Sequence, residues 1–366
     1  MQVTKMAPIP VIAIIDIGKT NKKIFLFDEN YKVVFENSVV IEEITDEDNF
    51  PCEDIISLQK FVSDSLKDAL LNNLYDVKAT NFCAYGASFV HIDKEGKQVT
   101  ALINYLKPFP EKLKKKFYQK YGGESTLAKI TASPVLGNLN SGMQLYYLKH
   151  AKPKQFNQIK YSLHLPQYIS YLVTAIPMSD ITSIGCHTNL WDYLHNTYHQ
   201  WVYQEEVFEK LAPIIDCDKT INATYYENTL KIGVGLHDSS AALIPYLVSF
   251  QKPFILISTG TWCISLNPFN NHPLTDDELI SDCLNYLSFT GKPIKASRIF
   301  AGNEHEEQVK RIAKNFNRNK NDYTQVKYDS LIVKKLKLQS KKKEGQNNSF
   351  EKESFLASKA QRFFIF

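Results

Sequence analysis

The sequence predicts an α/β protein of two lobes in which one small unit occurs twice, and three observations carry that expectation. At 366 residues the chain exceeds an ordinary single domain and suggests two. Over its first 85 residues the hydrophobic pattern runs strand, strand, strand, helix, strand. The hairpin that opens the chain recurs later, between Phe254 and Leu266.

The first strand is the apolar run Val11 to Ile15, which closes on Asp16. A turn follows, Ile17-Gly18-Lys19-Thr20-Asn21-Lys22-Lys23, then a second run, Ile24 to Phe27, ended by Asp28-Glu29-Asn30, and a third around Val33 to Phe35. Tight turns between short strands make an antiparallel meander. Leu58, Phe61, Val62, Leu66 and Leu70 then recur at helical spacing within Ile56 to Leu71, and Asn81 to Tyr85 returns to strand before Gly86. That order is the order of a ribonuclease-H-like α/β unit.

Further along, Phe109 to Lys160 has a helix-and-loop pattern with a lysine-rich surface at Lys112 to Lys116, and Tyr161 to Trp201 alternates aromatics with hydroxyls. Gly233 to Ser240 is a glycine-rich turn carrying His237-Asp238, and Ala241 to Phe250 is expected to be a buried helix. Phe254 to Ile257, the turn Ser258-Thr259-Gly260-Thr261 and Trp262 to Leu266 then form strand, turn and strand. In both hairpins a strand ends in a small or acidic residue, a glycine follows two positions later, and hydroxyls flank it. The expected architecture is a duplicated ribonuclease-H-like fold with lobes at 7–245 and 246–366, the turns at Gly18 and Gly260 facing each other.

Composition narrows the class. Hydrophobic residues make up 44% and charged ones 22%, which is ordinary globular usage and argues against a disordered or fibrous chain. The longest apolar stretch, Ala241 to Phe250, is too short for a bilayer and contains Pro245, so no membrane association is expected. No signal peptide is evident. Six cysteines are spread singly with no C-x-x-C pair, which suits reduced thiols and a cytoplasmic location. From Lys310 onward 15 Lys and Arg face 5 Asp and Glu, a net of +10 that leaves the rest of this +4 chain at −6. The tail around Lys341, Lys342 and Lys343 is expected to be solvated, and nucleic acid is not an expected partner.

Glycine in each hairpin turn lets the backbone approach an anion, and N–H groups with threonine hydroxyls can hold phosphate oxygens. The expected polyphosphate-binding set is Asp16, Gly18, Lys19, Thr20, Asn21 and Lys23 from the first turn, with Thr259, Gly260 and Thr261 from the second. Asp16, at a strand end beside the turn, has the chemistry to hold Mg²⁺ through water, while Lys19 and Lys23 offset phosphate charge. Lys22 is left open between that role and plain solvation.

These residues resemble the FGGY family of carbohydrate kinases, within the actin, Hsp70 and sugar-kinase superfamily. The resemblance is carried by Asp16-Ile17-Gly18-Lys19-Thr20-Asn21-Lys22-Lys23, Gly86-Ala87-Ser88-Phe89-Val90-His91-Ile92-Asp93, His237-Asp238 and Ser258-Thr259-Gly260-Thr261-Trp262, over roughly residues 11 to 310. It implies ATP- and Mg²⁺-dependent phosphorylation of a sugar hydroxyl. The second and third pieces are closest to the rhamnulokinase and fuculokinase branch, whose substrates are deoxy-ketoses, although Ser88 stands where that branch usually has an acidic residue. Asp238 corresponds to the family's catalytic base, and a carboxylate in a glycine-rich turn before a helix can also take a proton from a hydroxyl on chemical grounds. A helix N-cap is its structural alternative. The resemblance further implies a substrate set of Gly86, Ser88, His91, Gln144, His237 and Arg298. His237 divides evenly between sugar contact and turn packing. Thr182-Ser183, His187-Thr188-Asn189 and Trp191-Asp192 resemble the family's second substrate wall.

The pattern breaks after Asn317, where composition turns to Asn and Lys and no Asp-Gly-Gly or similar turn for adenosine appears before Phe366. The second lobe is therefore expected to be incomplete, with nucleotide binding that is weak, salt-sensitive and indifferent to the base. Three function classes follow: a sugar kinase, a weak or inert sugar-binding paralogue, and an Hsp70-like ATPase. The last would share both hairpins but need neither His237-Asp238 nor the Gly86 to Asp93 motif. The oligomeric state, a homo-oligomer included, stays open.

Overall fold

The computed structural model describes residues 7–259, 262–335 and 338. The meander forms as expected: β1 (Ile9–Ile17), β2 (Asn21–Phe27) and β3 (Val33–Val40) pair antiparallel in sequence. Helix α1 (Ile55–Leu71) starts where Asp54 accepts hydrogen bonds from the N–H groups of Ile56 and Ser57, the cap that a helix N-terminus requires. It leads into β4 (Tyr75–Ala84), which runs parallel to β1. The expected strand at Asn81 to Tyr85 is thus longer, because Tyr75 to Thr80 contributes a polar, alternating segment without an apolar run.

Next come β5 (Phe89–Ile92), α2 (Glu111–Lys120), α3 (Ser141–Ala151), β6 (Tyr161–His164), α4 (Leu165–Thr174) and α5 (Ile181–Ile184). The chain then returns to the sheet as β7 (Thr220–Tyr225), β8 (Asn228–Gly233) and β9 (Leu236–His237). The resulting seven-stranded mixed sheet has the order β7-β8-β4-β1-β2-β3, with β9 also pairing parallel to β4. Side chains alternate along β1, so Val11, Ala13, Ile15 and Ile17 are buried while Asp16 lies on the opposite face. The buried face packs on Leu58, Val62 and Leu66 of α1 and on Tyr168 and Ile169 of α4, forming one core. A second core gathers Phe117, Tyr146 and Trp201 with their neighbours.

Helix α6 (Asp238–Ser249) follows β9 directly. The expected buried helix at Ala241 to Phe250 is corrected: only Ser240 and Leu243 of α6 are buried, and Val248 is 69% exposed. A continuous apolar run has no stripe, and one helix turns only one stripe toward a sheet.

The described residues divide into two compact units. The first comprises 7–254, 268–279 and 284–295; the second comprises 255–259, 262–267, 280–283 and 296–335. In the second unit β10 (Leu256–Ser258) and β11 (Cys263–Asn267) form an antiparallel hairpin in the register Leu256 to Leu266, and α7 (Ala301–Asn315) follows. A hairpin like that of β1 and β2 thus occurs in each unit. No helix of the described residues is long and apolar enough to cross a membrane.

Candidate active site

Three neighbouring parallel strands of the first unit end together. Asp16 of β1 is in register with Cys83 of β4, and Cys83 with Leu236 of β9; the next row is Ile17, Ala84 and His237. Because side chains alternate, Asp16 and Cys83 share a face, and the Cys83 thiol donates to Asp16 Oδ1 at 3.3 Å. Asp238, two residues beyond Leu236, follows the end of β9 and begins the next helix. With strands about 4.8 Å apart, β1 and β9 lie roughly 10 Å from one another across β4, which leaves room for small polar groups between the two carboxylates. Asp16 nonetheless senses the charge of Asp238: burial, opposed by the Cys83 hydrogen bond, and then Asp238 raise its pKa, while Lys23 lowers it.

Asp238 opens α6 as its first residue. Its Oδ1 accepts from the Ser239 N–H at 2.6 Å and lies 3.2 Å from His237 Nε2. Burial pushes its carboxyl up to about 6, against the Ser239 hydrogen bonds that favour the anion. His237 is 3% exposed, and burial alone holds its ring neutral with a pKa of about 3. The ring is fixed on every side. Nδ1 faces Ser240 Oγ at 3.3 Å, Nε2 faces Cys186 Sγ at 3.2 Å, and Tyr286 packs edge-on. The His237 N–H donates to Thr182 Oγ1 at 3.0 Å, and the Thr182 hydroxyl in turn donates to buried Asp180. Asp180 is pushed up to about 6 by burial and also caps α5. This chain of contacts sets the main chain from which Asp238 projects.

The turn between β1 and β2 closes with the Gly18 N–H donating to the Asn21 carbonyl at 2.9 Å, and Thr20 and Asn21 are exposed. Its lysines all meet carboxylates. Lys19 pairs with Glu43 and lies 3.9 Å from Glu53; Lys23 pairs with Glu36 at 3.1 Å. The solvated alternative for Lys22 is corrected, since it is 1% exposed and pairs at 2.6 Å with Glu53, itself 2% exposed. Lys22 shares parity with Ile24 and Leu26, so the pleat turns all three inward.

Gly86 sits against His237 and Cys186, so close that an added Cβ would lie 2.7 Å from Cys186 Sγ. Ser88 is buried near the Tyr85 phenol, whose hydroxyl donates to Glu53. His91 is fully enclosed, with Nδ1 on Ser162 Oγ at 2.8 Å and burial lowering its pKa to about 3. Gln144 is equally enclosed and donates to the carbonyls of Ala87 and Asn138, so it braces the Gly86 to Ser88 turn from behind. The structure therefore brings Asp16, the first turn, Gly86, His237 and Asp238 to the ends of neighbouring strands, with His91 and Gln144 in a layer beneath. Thr188 bonds the Ile184 carbonyl and Asp192 receives the N–H groups of Leu194 and His195, all local contacts, while Asn189 donates to the Tyr118 hydroxyl in the second core.

In the second unit Thr259 is exposed, while Gly260 and Thr261 lie outside the described residues, as does the basic run Lys341 to Lys343. Arg298 is 8% exposed, forms two hydrogen bonds to Asp282 and stacks over Trp262.

Sequence reasoning missed three residues. Cys83 holds Asp16, Glu53 receives Lys22, and Tyr105 has its phenol pKa raised by burial and then by Asp238. Lys22 carried a readable signal in its parity; Tyr105, in a loop, carried none.

The FGGY family of carbohydrate kinases, N-terminal domain, matches residues 11–234. A rhamnulokinase of Oceanobacillus iheyensis is 22% identical over 273 residues, covering 70% of this chain and 56% of that protein. Among solved structures, a carbohydrate kinase from Novosphingobium aromaticivorans superposes with a TM-score of 0.72 at 22% identity, covering 83% of this chain and 66% of that one. A xylulose kinase from Lactobacillus acidophilus gives 0.69 at 18% identity, with coverages of 86% and 65%. At these identities the structural likeness establishes the sugar-kinase fold. The chain spans about half the length of the curated relatives it matches, 56% and 52%.

Proposed function

Because the chain belongs to the FGGY family of carbohydrate kinases, we propose that it transfers phosphate from ATP to a hydroxyl of a sugar, a ketose or deoxy-ketose such as rhamnulose or fuculose, in the cytoplasm. The observation that carries this reading is the carboxylate pair where β1 and β9 end: Asp238, with its pKa raised to about 6, and Asp16, whose pKa the charge of Asp238 helps to raise. A carboxylate of that basicity is ionised at neutral pH and still basic enough to take a proton from an attacking hydroxyl. Neutral His237, held by Ser240 and Cys186, leaves Asp238 without a cationic partner that would blunt it.

The site fits Mg²⁺ in one respect that the structure itself provides. Asp16 is a half-buried carboxylate with a like charge nearby, a pairing that a bound cation relieves, and Mg²⁺ binds through one or two carboxylates while keeping several waters. Bound MgATP supplies the phosphoryl group. The chain's own part is to hold the metal's water shell at Asp16, to offer the Gly18 to Asn21 turn to phosphate oxygens, and to accept the sugar proton at Asp238. Gly86, Ser88, His91, Gln144 and His237 shape the sugar side, His91 and Gln144 from beneath. Arg298, through its pair with Asp282, orders the segment before α7.

A second reading, sugar binding without turnover, is favoured by the three lysines of the turn, each already facing a carboxylate. One assay decides between them: ADP release with rhamnulose, fuculose, xylulose, ribulose and glycerol, with and without Mg²⁺, beside direct sugar binding. Release with one sugar supports the kinase and names its substrate. Sugar binding with no release supports the second reading, and neither binding nor release refutes both.

A further inference from the structure

An ion pair buried on both sides lies directly under the first turn. Lys22 Nζ is 2.6 Å from Glu53 Oε1, and the two residues are 1% and 2% exposed. Glu53 is held in turn by the Tyr85 hydroxyl at 3.0 Å, so its second oxygen is also satisfied. Such a pair gives little net stability, because desolvation of two charges offsets most of the attraction; in some proteins its role is to set a conformation. The conformation set here is visible, for Lys22 Nζ also donates to the Lys19 carbonyl at 3.2 Å.

That contact fixes one peptide plane. In a trans peptide the C=O of Lys19 and the N–H of Thr20 point in opposite directions. A cation beneath the turn that holds the carbonyl inward therefore aims the Thr20 N–H outward. Thr20 is exposed, and Gly18 and Asn21 on either side close the turn with their own hydrogen bond. Lys19 carries a further restraint, its ammonium standing over the rings of Tyr85 and Tyr105 at 5.8 and 5.9 Å.

We infer that Lys22 and Glu53 are positioning residues that orient the Lys19–Thr20 peptide, presenting the Thr20 N–H as a preset donor to an anionic phosphate. Neither side chain touches the anion. The inference deepens the nucleotide reading above and rests on it for the identity of the ligand alone; the orientation of the peptide stands on the contacts just described. An outward N–H fixed before binding needs no reorganisation when the anion arrives, which is the advantage of a preset donor over a flexible lysine.

The test uses the full chain and two readouts at the Thr20 amide: the backbone order parameter in the free protein, and the amide shift and Kd on titrating tripolyphosphate. The double variant Lys22→Met/Glu53→Leu removes both charges together, which avoids leaving one buried and unpaired. In the parent the order parameter at Thr20 is expected near the roughly 0.85 of rigid backbone, and a parent value below about 0.6 overturns the inference whether or not any variant folds. In the double variant the expected result is a melting temperature near that of the parent, an order parameter at Thr20 below about 0.6 and tripolyphosphate binding weaker by about tenfold. Lys22→Arg keeps the charge and the donors, and both readouts are expected to stay near those of the parent. A parent-like order parameter in the folded double variant overturns the inference. A parent chain whose Thr20 amide ignores tripolyphosphate refutes the nucleotide reading instead, and the order parameter still decides whether the pair orders the turn.

Discussion

Asp16, next to last in β1, and Asp238, the first residue after β9, lie where two strands that flank a third come to an end, and the charge of Asp238 raises the pKa of Asp16 across that distance. The two carboxylates are not alike. Asp16 accepts from a thiol and feels Lys23, while Asp238 accepts from the Ser239 main chain and lies against a neutral histidine. That difference assigns the more basic carboxylate to proton transfer and the other to the metal, and it yields the expectations below.

Replacing Asp238 with Asn removes the proton acceptor and keeps its shape. Turnover is expected to fall about 10²–10⁴-fold with sugar affinity retained. For the parent, kcat/KM should fall with unit slope as pH drops below about 6, where Asp238 takes up a proton. A pH–rate profile beside a sugar-binding isotherm checks both, and full turnover in Asp238→Asn would remove Asp238 from the base role.

The same substitution has a separate signature in stability. The folded state raises Asp238 from its ordinary 3.8 to about 6, so between those values it binds more protons than the unfolded chain, and stability contributed by this group falls as pH rises through that window. Asp238→Asn removes the penalty. Its melting temperature should exceed the parent's at pH 7, with the gap closing below pH of about 4. A gap that is the same at both pH values would show that burial does not penalise the Asp238 anion.

Asp16→Asn should weaken the Mg²⁺ dependence of nucleotide binding and leave the sugar isotherm in place, since the change removes a charge at the metal side alone. Titrating Mg²⁺ at fixed ATP measures it. An unchanged Mg²⁺ midpoint would place the metal elsewhere.

Gly235 has φ of +88°, and an added Cβ would stand 2.5 Å from the Pro166 carbonyl oxygen. Gly235→Ala is therefore expected to destabilise by at least about 1–3 kcal/mol through backbone strain. The residue lies on the approach to His237-Asp238, so activity should fall with stability. Denaturant melts with a midpoint equal to the parent's would contradict the strain.

Much of this arrangement is local and could be read from the chain alone. Asp16 closes an apolar run, a glycine turn follows, and the second strand answers it; hydrogen bonding between adjacent segments needs no distant partner, so pattern and turn chemistry suffice for the meander and for α1. The position of Asp238 at the start of a helix was legible for the same reason. What neighbours in space decide was not. The first part of β4, Tyr75 to Thr80, lacks an apolar run and is strand because β1 and β8 pair with it, and the exposure of α6 depends on how much of it the sheet covers. The partners of Lys22, the thiol on Asp16 and the phenol near Asp238 come from segments roughly 30 to 130 residues away, and the raised pKa of Asp238 comes from burial that the folded chain alone creates. Charge and turn type belong to the residue; burial raises the pKa of both carboxylates, and the neighbours that the fold supplies, a thiol and Lys23 at Asp16 and a neutral histidine at Asp238, tell the two apart.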